Sequence, residues 1–158
     1  MNFKQIASFV KIEHTLFSLP FVLIGYLIAY DQFQSELPDT GYGWLRIDLL
    51  WILLAAVAAR GLAMTLNRII DQDIDAANPR TAERHLASGT MSLSTAWWLA
   101  ALFLAMLLFG AGMLNTVALM MSWLPVLTFV IYPYMKRFTW LCHLWLGLCL
   151  GLAPAGAW

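Results

Sequence analysis

Five long apolar stretches, at 15–30, 49–66, 93–114, 117–134 and 138–158, most constrain what this chain can fold into. A bilayer is crossed by roughly 20 largely apolar residues in a helix rising about 1.5 Å per residue. A soluble domain would have to hide all five, and with 61% hydrophobic and 11% charged residues this chain has too little polar surface to do so. No stretch alternates polar and apolar residues at period two, which argues against a membrane barrel. The expected fold is therefore all-α, a polytopic transmembrane helix bundle of five spans with the lipid bilayer as its solvent. The first stretch is short, and residues 3–10 extend it as an interfacial lead-in. A cleavable signal peptide is disfavoured, because Leu27-Ile28-Ala29-Tyr30-Asp31 supplies no convincing small-residue cleavage site.

The formal net charge is zero, so orientation is read from where the charges fall. Lys4 and Lys11 precede the first span, whereas segment 31–48 holds four carboxylates and the single base Arg46. Arg68, Arg80 and Arg84 lie after the second span, no charge lies near Asn115, and Lys136 and Arg137 separate the fourth and fifth spans. Basic residues thus fall on alternate sides. The positive-inside rule places the N-terminus, loop 67–92 and the Lys136-Arg137 pair in the cytoplasm. This distribution gives no reason to expect a nucleic-acid partner.

Cys142 and Cys149 share the fifth span without His or carboxylate at metal-ligand spacing, so they read as small buried apolar residues. His85 and His143 suggest no metal site, and His14 is either interfacial or a substrate contact. Trp97 and Trp98 read as interfacial anchors. Pro20 and Pro125 fall within spans as candidate kinks, and Gly110, Gly112 and the pair Gly147-x-x-x-Gly151 as close-packing positions. The fifth span runs into Trp158 with no polar flank, so residues 1–158 are expected to be a truncated part of one domain.

One polar cluster stands apart. Asn67, Asp71 and Asp75 are spaced i, i+4, i+8, which on a helix holds them on one face with a drift of about 40° per step. Arg60 lies one heptad earlier, about 20° from Asn67; Arg68 and Asp73 point elsewhere. An intramembrane Arg leading to an amide and two carboxylates is costly unless it lines a wet cavity. Hard oxygen donors of this kind suit Mg²⁺, which bridges carboxylates to a diphosphate that they would otherwise repel. The plainer alternative is a solvated acidic helix end. An EF-hand is rejected, because its sixth and twelfth positions fall on Ala76 and Ala82.

The run Asn67-x-x-x-Asp71-x-x-x-Asp75, followed by Asn78-Pro79-Arg80-Thr81-x-x-Arg84, resembles the first aspartate-rich motif of the UbiA prenyltransferase superfamily. Lys11-Ile12-Glu13-His14-Thr15-Leu16-Phe17 with Leu19-Pro20-Phe21 resembles its first helix, and Tyr132-Pro133-Tyr134-x-Lys136-Arg137-Phe138-Thr139 the segment after its fourth. The Asn67-Arg68 pair looks more like the menaquinone-pathway branch, while the overall likeness is closest to quinone-pathway members acting on 4-hydroxybenzoate-type or naphthoate-type acceptors.

The resemblance implies nine transmembrane helices around a cavity, with two aspartate-rich motifs facing each other across Mg²⁺ and a diphosphate. Five spans and one motif occur here, and no acidic residue follows Glu83, so this chain alone is not expected to be active. The implied activity moves a polyprenyl group from its diphosphate to a small aromatic acceptor in the bacterial inner (cytoplasmic) membrane. Asn67, Asp71 and Asp75 match the metal-binding positions, and Lys136 and Arg137 those that neutralise the diphosphate. Arg60, Arg80 and Arg84 are assisting cations, and Tyr132, Tyr134 and Phe17 are candidates for π-face stabilisation of an allylic cation. Two rivals remain. A CDP-alcohol phosphotransferase needs a leading Asp-Gly and a Gly where Asn67 stands, and a transporter-like subunit needs ionisable groups toward the outer side that the other spans lack. A non-catalytic membrane fragment is the third reading.

Overall fold

The computed structural model describes residues 3–33, 35 and 46–158, and of residues 3, 4 and 12–17 the backbone alone. The expectations on the side chains of Lys4, His14 and Phe17, and on most of the acidic 31–48 segment, lie outside the described residues. Among the described residues every regular element is a helix: α1 (Phe3–Val10), α2 (Ile12–Phe33), α3 (Ile47–Ile70), α4 (Gln72–Ala77), α5 (Leu93–Leu114), α6 (Thr116–Met121), α7 (Trp123–Phe138) and α8 (Cys142–Ala157). The fold is an all-α bundle of the expected polytopic membrane type. By length and composition α3, α5 and the Thr116–Phe138 stretch can each cross a membrane, and Ser18–Phe33 and Cys142–Ala157 are shorter apolar helices. At 24 residues α3 is about 36 Å long, more than a bilayer core of about 30 Å requires.

Local chemistry sets the boundaries. Lys11 separates α1 from α2 by adopting φ 51°, a left-handed conformation that turns the chain between the two helices. Ser92 opens α5 by accepting a hydrogen bond on Oγ from the Thr95 N–H at 3.2 Å. Asn115 ends α5 and opens α6, its Oδ1 accepting from the Ala118 N–H at 2.7 Å. The expected fourth span is divided at Ser122, whose hydroxyl donates to the Leu119 carbonyl at 2.7 Å. The fifth begins later than its apolar run, because α7 continues through Phe138 and Thr139 Oγ1 accepts from the Leu141 N–H at 3.2 Å.

α3 is the central strut. It packs most extensively on α5 and also contacts α7, α2 and α1, while α2 and α7 both pack on α8. Two glycines bring α3 and α5 close. A Cβ at Gly61 would come within 2.6 Å of the Phe103 ring, and one at Gly110 within 3.1 Å of the Trp51 carbonyl. The larger core joins Phe9 of α1 to Ala58, Leu62 and Leu66 of α3 and to Leu99, Phe103 and Leu107 of α5. A smaller one gathers Val22, Tyr26, Leu49, Ile52 and Ala157 near the other end of α3.

The outer surface is strongly apolar: Trp98 is 76% exposed, Phe138 84% and Leu144 68%. Water would make such a surface adhesive, and lipid makes it ordinary. Two packing expectations change. A Cβ at Gly147 or Gly151 would meet nothing within 4 Å, so that pair forms no close contact among the described residues. Pro125 lies in the first turn of α7, where an N–H is unpaired in any case, and the proline interior to that helix is Pro133.

Candidate functional site

The site is built where α3 gives way to α4. Asp71 sits at the junction with φ −96° and ψ 6°, in the bridge region. The hydrogen-bond ladder nevertheless continues, from the Asp71 N–H to the Asn67 carbonyl at 3.1 Å and from the Asp75 N–H to the Asp71 carbonyl at 2.8 Å. Asn67, Asp71 and Asp75 therefore remain one turn apart. Both carboxylates are buried, with Asp71 1% and Asp75 7% exposed.

Cations from two other elements reach them. At the end of α7, Lys136 Nζ donates to Asp71 Oδ2, and Arg137 Nη2 lies 3.3 Å from Asp71 Oδ1. Arg137 also donates to the Ile70 carbonyl at 2.7 Å. Arg84 donates through Nη1 to both oxygens of Asp75 at 2.8 Å. Loop 78–92 delivers Arg84 because Thr81 folds it back: the buried Thr81 hydroxyl donates to the Asp75 carbonyl at 3.0 Å. Charge-assisted contacts to buried carboxylates are stronger than surface ion pairs, and losing one partner strands the other.

Beside these pairs lies a cavity of about 670 Å³. Arg60, Asn67, Arg84, Tyr132 and Lys136 line it together with Ser18 and Ser122, and Ile52, Ala56, Leu107, Ala111 and Leu114 are among its apolar walls. Asn67 and Ile52 are 15 residues apart on α3, about 22 Å, so the cavity runs along much of that helix, with Arg60 midway between them. The Arg60 Nε is buried without a hydrogen-bond partner. The Asn67 amide has no protein partner among the described residues. Lys136 Nζ lies 5.9 Å from the Tyr132 ring centroid, and the Arg137 guanidinium 5.2 Å from that of Tyr134, distances at which ring quadrupoles attract cations.

The structure thus gathers Asn67, Asp71, Asp75, Arg84, Tyr132, Lys136 and Arg137, with Arg60 two turns deeper. Arg80 is not brought in. Its side chain is exposed, and its backbone N–H donates to Asn78 Oδ1 at 3.0 Å in a turn that carries the side chain away. Arg68 does not line the cavity: it is buried with its guanidinium 5.4 Å from the Phe9 ring, within electrostatic reach of Asp75 and Arg84, and Asp73 is exposed. Thr81 belongs to the motif but carries no expected role from sequence, although its place after Asn78-Pro79-Arg80 marks a turn that a hydroxyl can tie down. The alanines at 55, 56, 59 and 63, which keep the α3 wall of the cavity thin, were legible as a run of small residues.

No three His, Cys, Asp or Glu side chains among the described residues come together as a metal cluster. The donor chemistry fits Mg²⁺ all the same. Two carboxylates and an unengaged amide oxygen are hard ligands, and the groups now on the carboxylates are cations on partly exposed side chains.

Fold and site together define an integral membrane helix bundle in which paired carboxylates and cations stand at the polar end of a largely apolar cavity. The chain belongs to the UbiA prenyltransferase family, which residues 18–158 match. It is 35% identical over 99 residues to the 4-hydroxybenzoate octaprenyltransferase of Pasteurella multocida (strain Pm70), covering 63% of this chain and 34% of that protein. It is 28% identical over 150 residues to the enzyme of the same name from Francisella tularensis subsp. novicida (strain U112), covering 94% and 51%. The apo structure of a UbiA homolog from Aeropyrum pernix K1 superposes with a TM-score of 0.79 at 41% identity, over 92% of this chain and 49% of that one. The chain spans about half, or less, of the length of these relatives.

Proposed function

We propose that this chain forms the first acidic half of a membrane prenyltransferase that moves a polyprenyl group from its diphosphate to a 4-hydroxybenzoate-type acceptor for ubiquinone synthesis. The observation that carries the reading is the cavity, cationic where Arg60, Arg84 and Lys136 line it and apolar beyond. A polyprenyl diphosphate has the same two-part character. Relatives named 4-hydroxybenzoate octaprenyltransferase support the aromatic acceptor and the long tail. A second set of carboxylates comes from outside residues 1–158, which contain no acidic residue after Glu83.

In the reaction the allylic C–O bond breaks, its electron pair leaves with the diphosphate, and a ring carbon of the acceptor bonds to the prenyl carbon and loses a proton. Asn67, Asp71 and Asp75 would hold Mg²⁺, which when bound would supply counter-charge for a departing diphosphate. Lys136, Arg137 and Arg84 provide positive charge where negative charge grows, which is the largest lever available in a site sheltered from water. Tyr132 offers a ring face to the allylic cation. The apolar walls hold the tail and keep water from capturing the cation.

Arg60 lines the cavity with no carboxylate partner among the described residues, its Nε is buried without a hydrogen-bond partner, and a half-buried cation is suited to an anion. The carboxylate of the acceptor fits that need. Arg60→Met is expected to raise the acceptor KM by about 10-fold or more, the loss of one charge-assisted hydrogen bond, with little change in KM for the prenyl diphosphate. Steady-state rates with each substrate varied in turn check this, and an unchanged acceptor KM contradicts it. Orientation is tested separately. A reporter fused within loop 78–92 is expected to report from the cytoplasm, and a signal from the opposite side overturns the proposed topology.

A further inference from the structure

The carboxylates and the cavity are separated by the cations themselves. Lys136 and Arg84 line the cavity, whereas Asp71 and Asp75 do not. The side chains of Asp71 and Asp75 are 1% and 9% exposed, and those of Lys136, Arg137 and Arg84 are 31%, 29% and 36% exposed. Three basic groups therefore cover two buried acids. A divalent cation that reaches either carboxylate displaces a basic side chain, whose partly exposed head is left to water until an anion arrives. A diphosphate that enters the cavity meets cations already neutralised, and drawing them off strands a buried carboxylate. Breaking a buried pair from one side alone is strongly unfavourable. When both ligands arrive, every charge is paired again, with the metal on the carboxylates and the basic groups on phosphate oxygens.

Resting on the functional reading above, we propose that Arg84, Lys136 and Arg137 are exchangeable counter-ions that shift from Asp75 and Asp71 to the phosphates. Divalent metal and allylic diphosphate then bind as a linked pair, each tightening the other by the same factor. The side chains make the exchange feasible, since long flexible stems with partly exposed heads can swing over a few ångströms. Asn67, whose amide is unengaged, stays on the metal side throughout.

The test uses the full-length gene product in nanodiscs and follows Mn²⁺ binding by electron paramagnetic resonance. The wild type is titrated alone and with a non-reacting thiolo analogue of an allylic diphosphate. Direct metal–phosphate contact couples two ligands in any site, so the discriminating readout is Arg84→Gln titrated with Mn²⁺ alone. Removing the counter-ion of Asp75 is expected to tighten Mn²⁺ binding by about 5-fold or more, while weakening the analogue by a similar factor. Lys136→Gln should act in the same direction on Asp71, more weakly because Arg137 remains, and serves as the second variant should Arg84→Gln fail to fold. Unchanged or weakened Mn²⁺ binding in a folded variant overturns the exchange and leaves the prenyltransferase reading standing. If the wild type binds neither Mn²⁺ nor the analogue, both the exchange and that reading fall.

Discussion

Asp71→Ala is expected to lower prenyl transfer by at least ~10²–10³-fold at saturating Mg²⁺ while the protein still accumulates in the membrane. The rate loss follows from position. Asp71 is the middle of the three oxygen donors, is 1% exposed, and makes ion pairs with two basic residues. Without it the proposed metal position keeps one carboxylate and one amide, too little to hold a hard dication against water. Insertion should survive, because the groups left behind, Lys136 and Arg137, are about a third exposed and can turn to water or lipid headgroups. The reverse change is harsher on stability, since removing the cations strands a buried carboxylate. Product formation per unit of membrane-integrated protein, measured by immunoblot of the membrane fraction, separates the two effects. Turnover within a few-fold of the wild type would remove Asp71 from the proposed metal site.

The second large effect concerns α2 and α8. A Cβ placed on Gly25 would lie 2.4 Å from the Pro154 carbonyl oxygen and 3.0 Å from its carbonyl carbon. The obstacle is backbone, so no side chain can rotate aside, and the two helices must separate. Gly25→Ala is therefore expected to destabilise the protein by about 1–3 kcal/mol, and Gly25→Leu by more. Gly147→Ala is the matched control on α8: its Cβ would meet nothing within 4 Å, so the change is expected to be neutral or to stabilise by up to about 1 kcal/mol through helix propensity. Thermal unfolding in one detergent compares them, and equal midpoints would mean that α2 and α8 do not touch at Gly25.

These two predictions differ in how far the sequence anticipates them. The i, i+4, i+8 spacing of Asn67, Asp71 and Asp75 depends only on helix geometry, so it was legible before any contact was known. α5 was legible for the same reason. Its stretch, 93–114, is uniformly apolar and bounded by Ser92 and Asn115, two residues whose side chains cap helix starts. The break at Ser122 was not, because a hydroxyl that bonds back to the Leu119 carbonyl leaves no mark in hydropathy. Nor was the late start of α8, since Phe138 and Trp140 are as apolar as the helix that follows.

The pairing of charges was the least legible feature. Arg80 and Arg84 follow the acidic run at comparable distance, yet only Arg84 reaches a carboxylate. The difference lies in the Asn78 turn and the Thr81 hydroxyl, which are tertiary facts of one loop. The partnership of Asp71 with Lys136 and Arg137 spans more than sixty residues of chain and rests on α7 packing against α3. Gly25 carried no signal at all, because its partner is a carbonyl on another helix.

The most direct test of the central claim is transfer itself. Membranes containing the full-length gene product are incubated with 4-hydroxybenzoate and a labelled long-chain allylic diphosphate, first with Mg²⁺ and then with excess chelator. The account predicts labelled, prenylated 4-hydroxybenzoate that appears with Mg²⁺ and disappears on chelation. No product with Mg²⁺, or the same yield after chelation, would contradict it.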